Sequence, residues 1–229
     1  MSETLLDNPA WFALTDRQAW QGERNGDAAR YVPAISPIGA LREPSAAALE
    51  ALGALCGSDV VMVLSAAAQL PDSLRFRVAR SVPVRQMVCE SMPASVEYAA
   101  QRLGNDDAAD MVALVRLTEP GPFAQRTVEL GTYYGVRDAG GRLVAMAGER
   151  LKPRGWTEIS GVCTHPEGRG HGYAQALVTR LTAAALARGE GAFLYVAVGS
   201  PSQHVATRLY ERVGYRFRRE MYVHALLTP

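Results

Sequence analysis

The sequence predicts a mixed α/β fold, in which helices flank a mixed sheet, and three features of its second half carry this prediction. A β-hairpin is indicated by strand patterns within 132–151 that flank a turn at Asp138–Gly141. From Thr157 onward, strand and helix patterns alternate. A glycine-dense turn at 164–172 joins the first of these strands to the first of these helices.

Residues 1–95 carry weaker patterns and contain no catalytic motif. We therefore predict that they form an N-terminal accessory domain and that residues 96–229 form a second domain. The elements predicted in the first domain are a helix at Ser45–Cys56, a strand at Asp59–Ser65, and one or two strands at Leu74–Cys89 that are interrupted at Pro83.

The second domain is predicted to continue as helices and strands to its end. Its first helix begins at Asn105–Asp107, where acidic residues favour a helix N-terminus. The remaining elements are strands at Thr132–Val136, Leu143–Leu151 and Thr157–Thr164, a helix that ends near Gly189, a strand at Ala192–Val198, a helix capped by Ser200 with Pro201 in its first position, and a strand from Tyr215 that turns Tyr215, Phe217, Met221, Val223 and Ala225 inward.

Composition argues against several classes of partner. The 24 basic and 23 acidic residues leave a net charge of +1, so we expect neither nucleic acid nor an anionic membrane as a partner. The three cysteines form no C-x-x-C pair, which favours reduced thiols and a cytoplasmic location. No apolar run approaches the ~18 residues of a membrane helix. The four histidines lack metal-ligand spacing, so no metal site is predicted.

The glycine-dense turn is typical of an anion site. A strand that passes through glycines into a helix presents unpaired backbone N–H groups and the positive end of the helix dipole, which suit a pyrophosphate. A tight connection without a ligand is the alternative interpretation. The dinucleotide-binding fingerprint G-x-G-x-x-G/A does not match. Its last position needs a small residue, but Tyr173 stands there when the motif is started at Gly168, and Gln175 stands there when it is started at Gly170. The pattern that fits is R-x-x-G-x-A, formed by Arg169, Gly172 and Ala174.

This pattern resembles the acetyl-CoA signature of the GNAT superfamily of N-acetyltransferases. "ISGVCTHPEGRGHGYAQALV" is similar to the superfamily's pyrophosphate strand, loop and helix, and "ATRLYERVGYRFRREM" is similar to its closing helix and strand. The resemblance covers about Asn105–Leu227 and points to the branch of the glycine N-acyltransferases. It implies the GNAT acyl-CoA N-acyltransferase fold, with residues 1–95 as a possible degenerate copy that frames the acceptor pocket.

The resemblance also implies where acetyl-CoA binds. Arg169 lies at the edge of the pyrophosphate, and the pantetheine arm adds like a strand to the sheet, where the Val162 N–H polarises the thioester carbonyl. The residues predicted to bind the cosubstrate are Val162, Cys163, Thr164, Arg169, Gly170, His171, Gly172, Tyr173, Ala174 and Gln175.

Two residues are predicted to move protons. Tyr210 matches the superfamily's tyrosine near the CoA sulfur, which implies a general acid, although an aromatic residue at this helical position could simply pack. Glu158 is the candidate base. It stands at the same distance before R-x-x-G-x-A as the catalytic glutamate of the superfamily's histone-acetyltransferase branch, and it shares strand parity with Val162. Glu149 and a water-mediated relay are alternatives. Cys163 has the opposite parity, so we expect a buried apolar role for it rather than a nucleophile.

The sequence thus predicts an enzyme that transfers an acetyl group from acetyl-CoA directly to a primary amine in a ternary complex. The amine is a small molecule or a peptide, and a homodimer is left open. One alternative is a non-catalytic module that binds or senses acyl-CoA. The other is an N-acyltransferase that moves longer chains onto amino acids.

Overall fold

The computed structural model describes residues 2–57, 60–94 and 98–227. Five α-helices and eleven strands occur within these ranges. The helices are α1 (Pro9–Leu14), α2 (Ala46–Cys56), α3 (Ala108–Thr118), α4 (Tyr173–Ala187) and α5 (Gln203–Val213). The strands are β1 (Gly22–Asn25), β2 (Ala28–Tyr31), β3 (Ile38–Leu41), β4 (Val61–Ser65), β5 (Arg77–Cys89), β6 (Gln101–Leu103), β7 (Tyr133–Arg137), β8 (Leu143–Glu149), β9 (Trp156–Thr164), β10 (Gly191–Ala197) and β11 (Arg216–Leu227).

The described strands form one mixed sheet in the order β1-β2-β3-β4-β11-β5-β10-β9-β8-β7-β6. Two pairs are parallel, β3 with β4 and β9 with β10, and each pair is connected by a helix, α2 or α4. The other neighbouring strands are antiparallel. The predicted mixed α/β fold is therefore confirmed, including the hairpin of β7 and β8 and the β9-α4-β10 unit.

The sheet has an internal two-fold pattern. The series α1-β1-β2-β3-α2-β4-β5 has the same order and pairing as α3-β7-β8-β9-α4-β10-β11, with α5 inserted only in the second series. The last strands are exchanged, because β5 pairs with β10 and β11 pairs with β4. A strand of the predicted first domain thus lies inside the sheet of the second. The predicted boundary falls among residues 95–97, outside the described residues, and the two-domain division stays a prediction.

The sheet is covered on both faces by apolar cores. On one side, called the α4 face, Ala145 and Ala147 of β8 pack with α4 and α5. On the other, called the α3 face, Met146 packs with α3. A further core on the α3 side joins the two series, because Trp11 and Tyr31 share it with Trp156 and Phe193. Burial of such side chains stabilises by roughly 1.5–3 kcal/mol each, so this core ties residues 2–41 to the second half.

Some element boundaries differ from the sequence predictions. The strand predicted at Asp59–Ser65 begins at Val61, and Asp59 lies outside the described residues. The segment with Pro83 is the single strand β5. Val84 and Ala197 are the last register pair between β5 and β10, and the next residue, Pro83, accepts from Val198 N through its carbonyl. The position where proline lacks an N–H therefore lies at the end of this ladder.

Two predictions near the C-terminus are wrong. α5 begins at Gln203 rather than after Ser200, because the Ser200 hydroxyl donates to Ala197 O instead of capping the helix. In β11, a register shift between Phe217 and Arg219 breaks the alternation, so Phe217 is 47% exposed instead of facing inward.

Candidate functional site

Strands β9 and β10 diverge in the middle of the sheet. They pair in parallel only from Trp156 with Gly191 to Glu158 with Phe193. Beyond Glu158, β9 keeps its ladder to β8 but has no register partner on β10. The backbone of 159–164 therefore presents an open edge to any extended ligand that adds to the sheet.

A bulge interrupts β9 beside this edge. Met146 of β8 pairs with Cys163 and Gly148 pairs with Ser160, so three steps along β9 match two along β8. Gly161 sits in the bulge with φ +61°, a left-handed conformation that favours glycine. Gly161 and Val162 have no register partner on β8, so the ladder between the two strands is interrupted along this short stretch.

The bulge also corrects the parity argument made from the sequence. Glu158 lies on the α3 face, whereas Val162 packs in the core on the α4 face. Cys163 returns to the α3 face, where it packs with Met146. The expectation that Glu158 and Val162 share a face is wrong because alternation does not continue through a bulge. Cys163 is buried all the same, and burial raises the pKa of its thiol to about 12.

The turn after β9 forms a backbone cradle at the N-terminus of α4. A short 3-10 segment at Pro166–Gly168 leads to Gly170 with φ +84° and Gly172 with φ +78°. A Cβ at either glycine would meet open space, so the cradle is not filled by the protein itself. The first backbone bond of the helix runs from Ala176 N to Gly172 O, which leaves the N–H groups of 173–175 unpaired within it.

Side chains around the turn complete its rim. Arg169 is exposed, while the His171 Nδ1 lies 3.0 Å from Arg169 O. The His171 ring stacks on Tyr173 at 5.3 Å, and Tyr98 meets Tyr173 edge-on at 5.1 Å. Thr164 is half-buried at the start of the turn. The predicted cosubstrate residues are thus contiguous in space along the β9 edge and the N-terminus of α4.

Tyr210 lies on α5 above the same end of β9. The residue is 7% exposed, and its ring packs against Tyr215 at 6.0 Å. Burial and the nearby Cys163 thiol raise the pKa of Tyr210, so the phenol remains protonated at neutral pH. One turn earlier, the buried Thr207 hydroxyl lacks a hydrogen-bond partner among the described residues.

Both candidate bases are engaged in ion pairs. Glu158 is 1% exposed, and its oxygens accept from Arg150 at 2.6 and 3.0 Å and from Leu151 N at 3.2 Å. Glu149 lies on the opposite face and accepts from Lys152 and Arg188, each at 2.8 Å. Burial raises the pKa of Glu149, but these bonds outweigh it and hold the pKa below its usual range. Neither carboxylate is free, and the assignment of a general base stays a prediction.

Sequence reasoning missed Tyr133, whose hydroxyl is buried without a hydrogen-bond partner among the described residues. Its ring crosses from β7 over Gly148, where a Cβ would stand 2.1 Å from Tyr133 Cδ1, and reaches the bulge at Gly161. No motif marks this tyrosine. The two glycines that accommodate the ring are far apart in sequence, and only strand register brings them together.

Residues from the first series support the α3 side of the site. Gln18 donates to Arg150 O and accepts from Lys152 N, each at 2.9 Å. Gln86 of β5 donates to Tyr195 Oη at 2.9 Å. The two Gln18 bonds hold the backbone at Arg150 and Lys152, beside the Arg150–Glu158 pair.

The described part of the chain contains no helix that is long and apolar enough to cross a membrane.

Comparisons with known proteins give related folds along the whole chain. A protein-family model described as FR47-like protein matches residues 133–223. The chain is similar to an acetyltransferase of the GNAT family from Novosphingobium aromaticivorans DSM 12444, with a TM-score of 0.88 and 36% identity over 98% of each chain. A GCN5-related N-acetyltransferase from Kribbella flavida has a TM-score of 0.60 at 16% identity, covering 96% of this chain and 95% of that chain, which is a likeness of fold alone. No curated protein sequence matches the chain.

Proposed function

This chain belongs to the GNAT family, and on that premise we propose that it transfers an acetyl group from acetyl-CoA to a primary amine by direct transfer in a ternary complex. The observation that carries the proposal is the parting of β9 from β10 beside a bulge, followed at once by a glycine cradle at the N-terminus of α4. This arrangement offers an extended edge and an anion site in series, which suits a pantetheine arm that ends in a pyrophosphate.

The residues fit this cosubstrate by their chemistry. The unpaired N–H groups of 173–175 and the open space at Gly170 and Gly172 suit the pyrophosphate oxygens. Arg169 adds an exposed positive charge at the rim. The edge at Val162–Thr164 suits the amides of the pantetheine arm, and a Val162 N–H directed at the thioester carbonyl would stabilise the developing oxyanion.

Tyr210 is proposed as the acid that protonates the departing thiolate. A thiol of pKa about 8.5 leaves as a thiolate, and a neutral phenol nearby can supply its proton. The raised pKa of Tyr210, caused by burial and the Cys163 thiol, keeps that proton in place until the thiolate forms. The alternative, that Tyr210 only packs, predicts no effect of removing its hydroxyl.

Glu158 is the predicted general base, but its bidentate pair with Arg150 favours a structural role on the α3 face. A water relay, or an amine that arrives already neutral, is compatible with this geometry. Residues 2–41 pack over the same face, which supports their proposed part in framing the acceptor pocket.

Two alternatives remain open for test. A cofactor-binding module without turnover would use the same cradle, and an enzyme of the glycine N-acyltransferase-like branch would prefer longer acyl chains. Free-thiol release should be measured with acetyl-CoA and octanoyl-CoA against a panel of ethanolamine, benzylamine, glycinamide and a lysine peptide. We expect saturable turnover with acetyl-CoA and at least one amine. Thermal stabilisation by acetyl-CoA without turnover would favour the module, and faster turnover with octanoyl-CoA would favour the long-chain enzyme.

A further inference from the structure

The buried hydroxyl of Tyr133 points to a second substrate contact. Tyr133 is 1% exposed, and its Oη has no hydrogen-bond partner in the described ranges 2–57, 60–94 and 98–227. A buried hydroxyl without a partner costs stability, and native proteins contain few of them. Phenylalanine would fill the same space without that cost, so the retained hydroxyl calls for a functional explanation.

The position of Tyr133 relates it to the open edge of β9. Its ring lies on the α3 face across Gly148, and a Cβ built on the bulge residue Gly161 would stand 3.4 Å from Tyr133 Cε1. Phe123 covers the ring edge-on at 5.8 Å. The hydroxyl is therefore next to the stretch where the acyl group is proposed to sit, and a half-buried side chain separates it from solvent.

The two sides of the bulge carry one tyrosine each. The anion cradle and Tyr210 belong to α4 and α5 on the α4 face, whereas Tyr133 lies on the α3 face. Tyr133 shares a core with Cys163, and Tyr210 shares the other core with Val162, so both tyrosines lie near the same end of β9. Because the anion cradle and Tyr210 belong to the α4 side, we place the attacking nucleophile on the α3 side.

The charges around Tyr133 are balanced. Of the charged groups that act on Tyr133, Arg150 is paired with Glu158, and Glu149 on the other face is paired with Lys152 and Arg188. Among the described residues, the carboxylates that act on Tyr133 are both paired, so neither is free to bind an ammonium ion or to take its proton. An acceptor that enters this side therefore fits best as an uncharged amine.

We propose that the Tyr133 oxygen accepts an N–H from a neutral primary amine on the α3 face, which leaves the amine lone pair free to attack the thioester. This inference rests on the proposed function. In the step, a C–N bond forms and the C–S bond breaks. The nitrogen loses one proton to water, and Tyr210 gives its proton to the sulfur and is reprotonated from water. Tyr133 is thus a substrate-binding residue that sets the orientation of the acceptor.

The test compares Tyr133→Phe with Tyr134→Phe, a matched control. Tyr134 is the next residue, faces the other side of β7, and packs under Arg180 at 4.2 Å. For the best amine of the panel, we expect Tyr133→Phe to raise KM about tenfold, the loss of one neutral hydrogen bond, with kcat and the Kd of acetyl-CoA close to wild type. Its Tm should be equal to or above that of the wild type. Tyr134→Phe should leave KM unchanged.

A second readout addresses the protonation state of the amine. With glycinamide and the lysine peptide as probes of different basicity, the rising limb of kcat/KM against pH should move with the pKa of the probe. A wild-type KM in Tyr133→Phe, a lowered Tm, or a rising limb at one fixed pH for both probes would each overturn the inference while the transferase function stands. A wild-type protein that binds acetyl-CoA and acetylates no panel amine would overturn both.

Discussion

Placing a negative charge at Gly172 tests the anion cradle directly. Gly172 is the N-cap of α4 with φ +78°, and a side chain there meets open space. Aspartate and asparagine tolerate this conformation better than other residues, and they have the same shape. Gly172→Asp and Gly172→Asn therefore differ only in charge, and the carboxylate of Gly172→Asp is favourable for the helix dipole.

The size of the effect follows from the exposure of the turn. Two unit charges 4 Å apart repel by about 1 kcal/mol in bulk water and by about 4 kcal/mol at the effective dielectric of a protein surface. We therefore expect CoA to bind Gly172→Asp roughly 5- to 1000-fold more weakly than Gly172→Asn, with a ratio that shrinks as salt is added. Calorimetry measures both affinities, and the Tm of Gly172→Asp should match or exceed that of Gly172→Asn. Equal CoA affinities in the two folded variants would refute the placement of the pyrophosphate.

Three further predictions concern the buried polar groups. Tyr210→Phe should lower kcat about 100-fold while Tm and the Kd of acetyl-CoA stay near wild type, and an unchanged kcat would return Tyr210 to a packing role. Glu158→Gln should lose about 3–5 kcal/mol of unfolding free energy in denaturant titrations because it leaves Arg150 buried without its partner, whereas unchanged stability with a lost kcat would identify a free catalytic base. Because its ion pairs hold the pKa of Glu149 below its usual range in the folded protein, this pairing stabilises the fold above the unfolded-state pKa and is lost as pH falls through the lowered value. The stability gap between wild type and Lys152→Met should therefore shrink in acid, and a constant gap would contradict this.

The elements that were predicted correctly from the sequence are those determined by residues close together in the chain. Ser45 accepts from Ala48 N and caps α2 as its residue type favours, and the turn around Asp138 closes the hairpin as expected. The β9-turn-α4 unit is likewise readable because the glycines, the strand pattern and the helix pattern are contiguous. Membership of the GNAT superfamily, inferred from the same stretch, is confirmed.

The parts that sequence could not predict depend on register between distant strands. The bulge at Gly161 exists only relative to β8, so parity along β9 gave the wrong face for Glu158 against Val162. The exchange of β5 and β11 between the two series depends on pairing between residues more than 100 positions apart in the sequence. The position of its ring over Gly148 distinguishes Tyr133 from Tyr134, and no local sequence pattern indicates that position.

The most direct test of direct acetyl transfer is a single-turnover experiment. Protein in excess over acetyl-CoA that carries an isotopic label in the acetyl group is mixed with the best amine of the panel, and the label is followed by mass spectrometry. The account predicts that the label passes to the amine in step with thiol release and that labelled protein never accumulates. Label found on the protein, for example on Cys163, or released only as acetate, would contradict it.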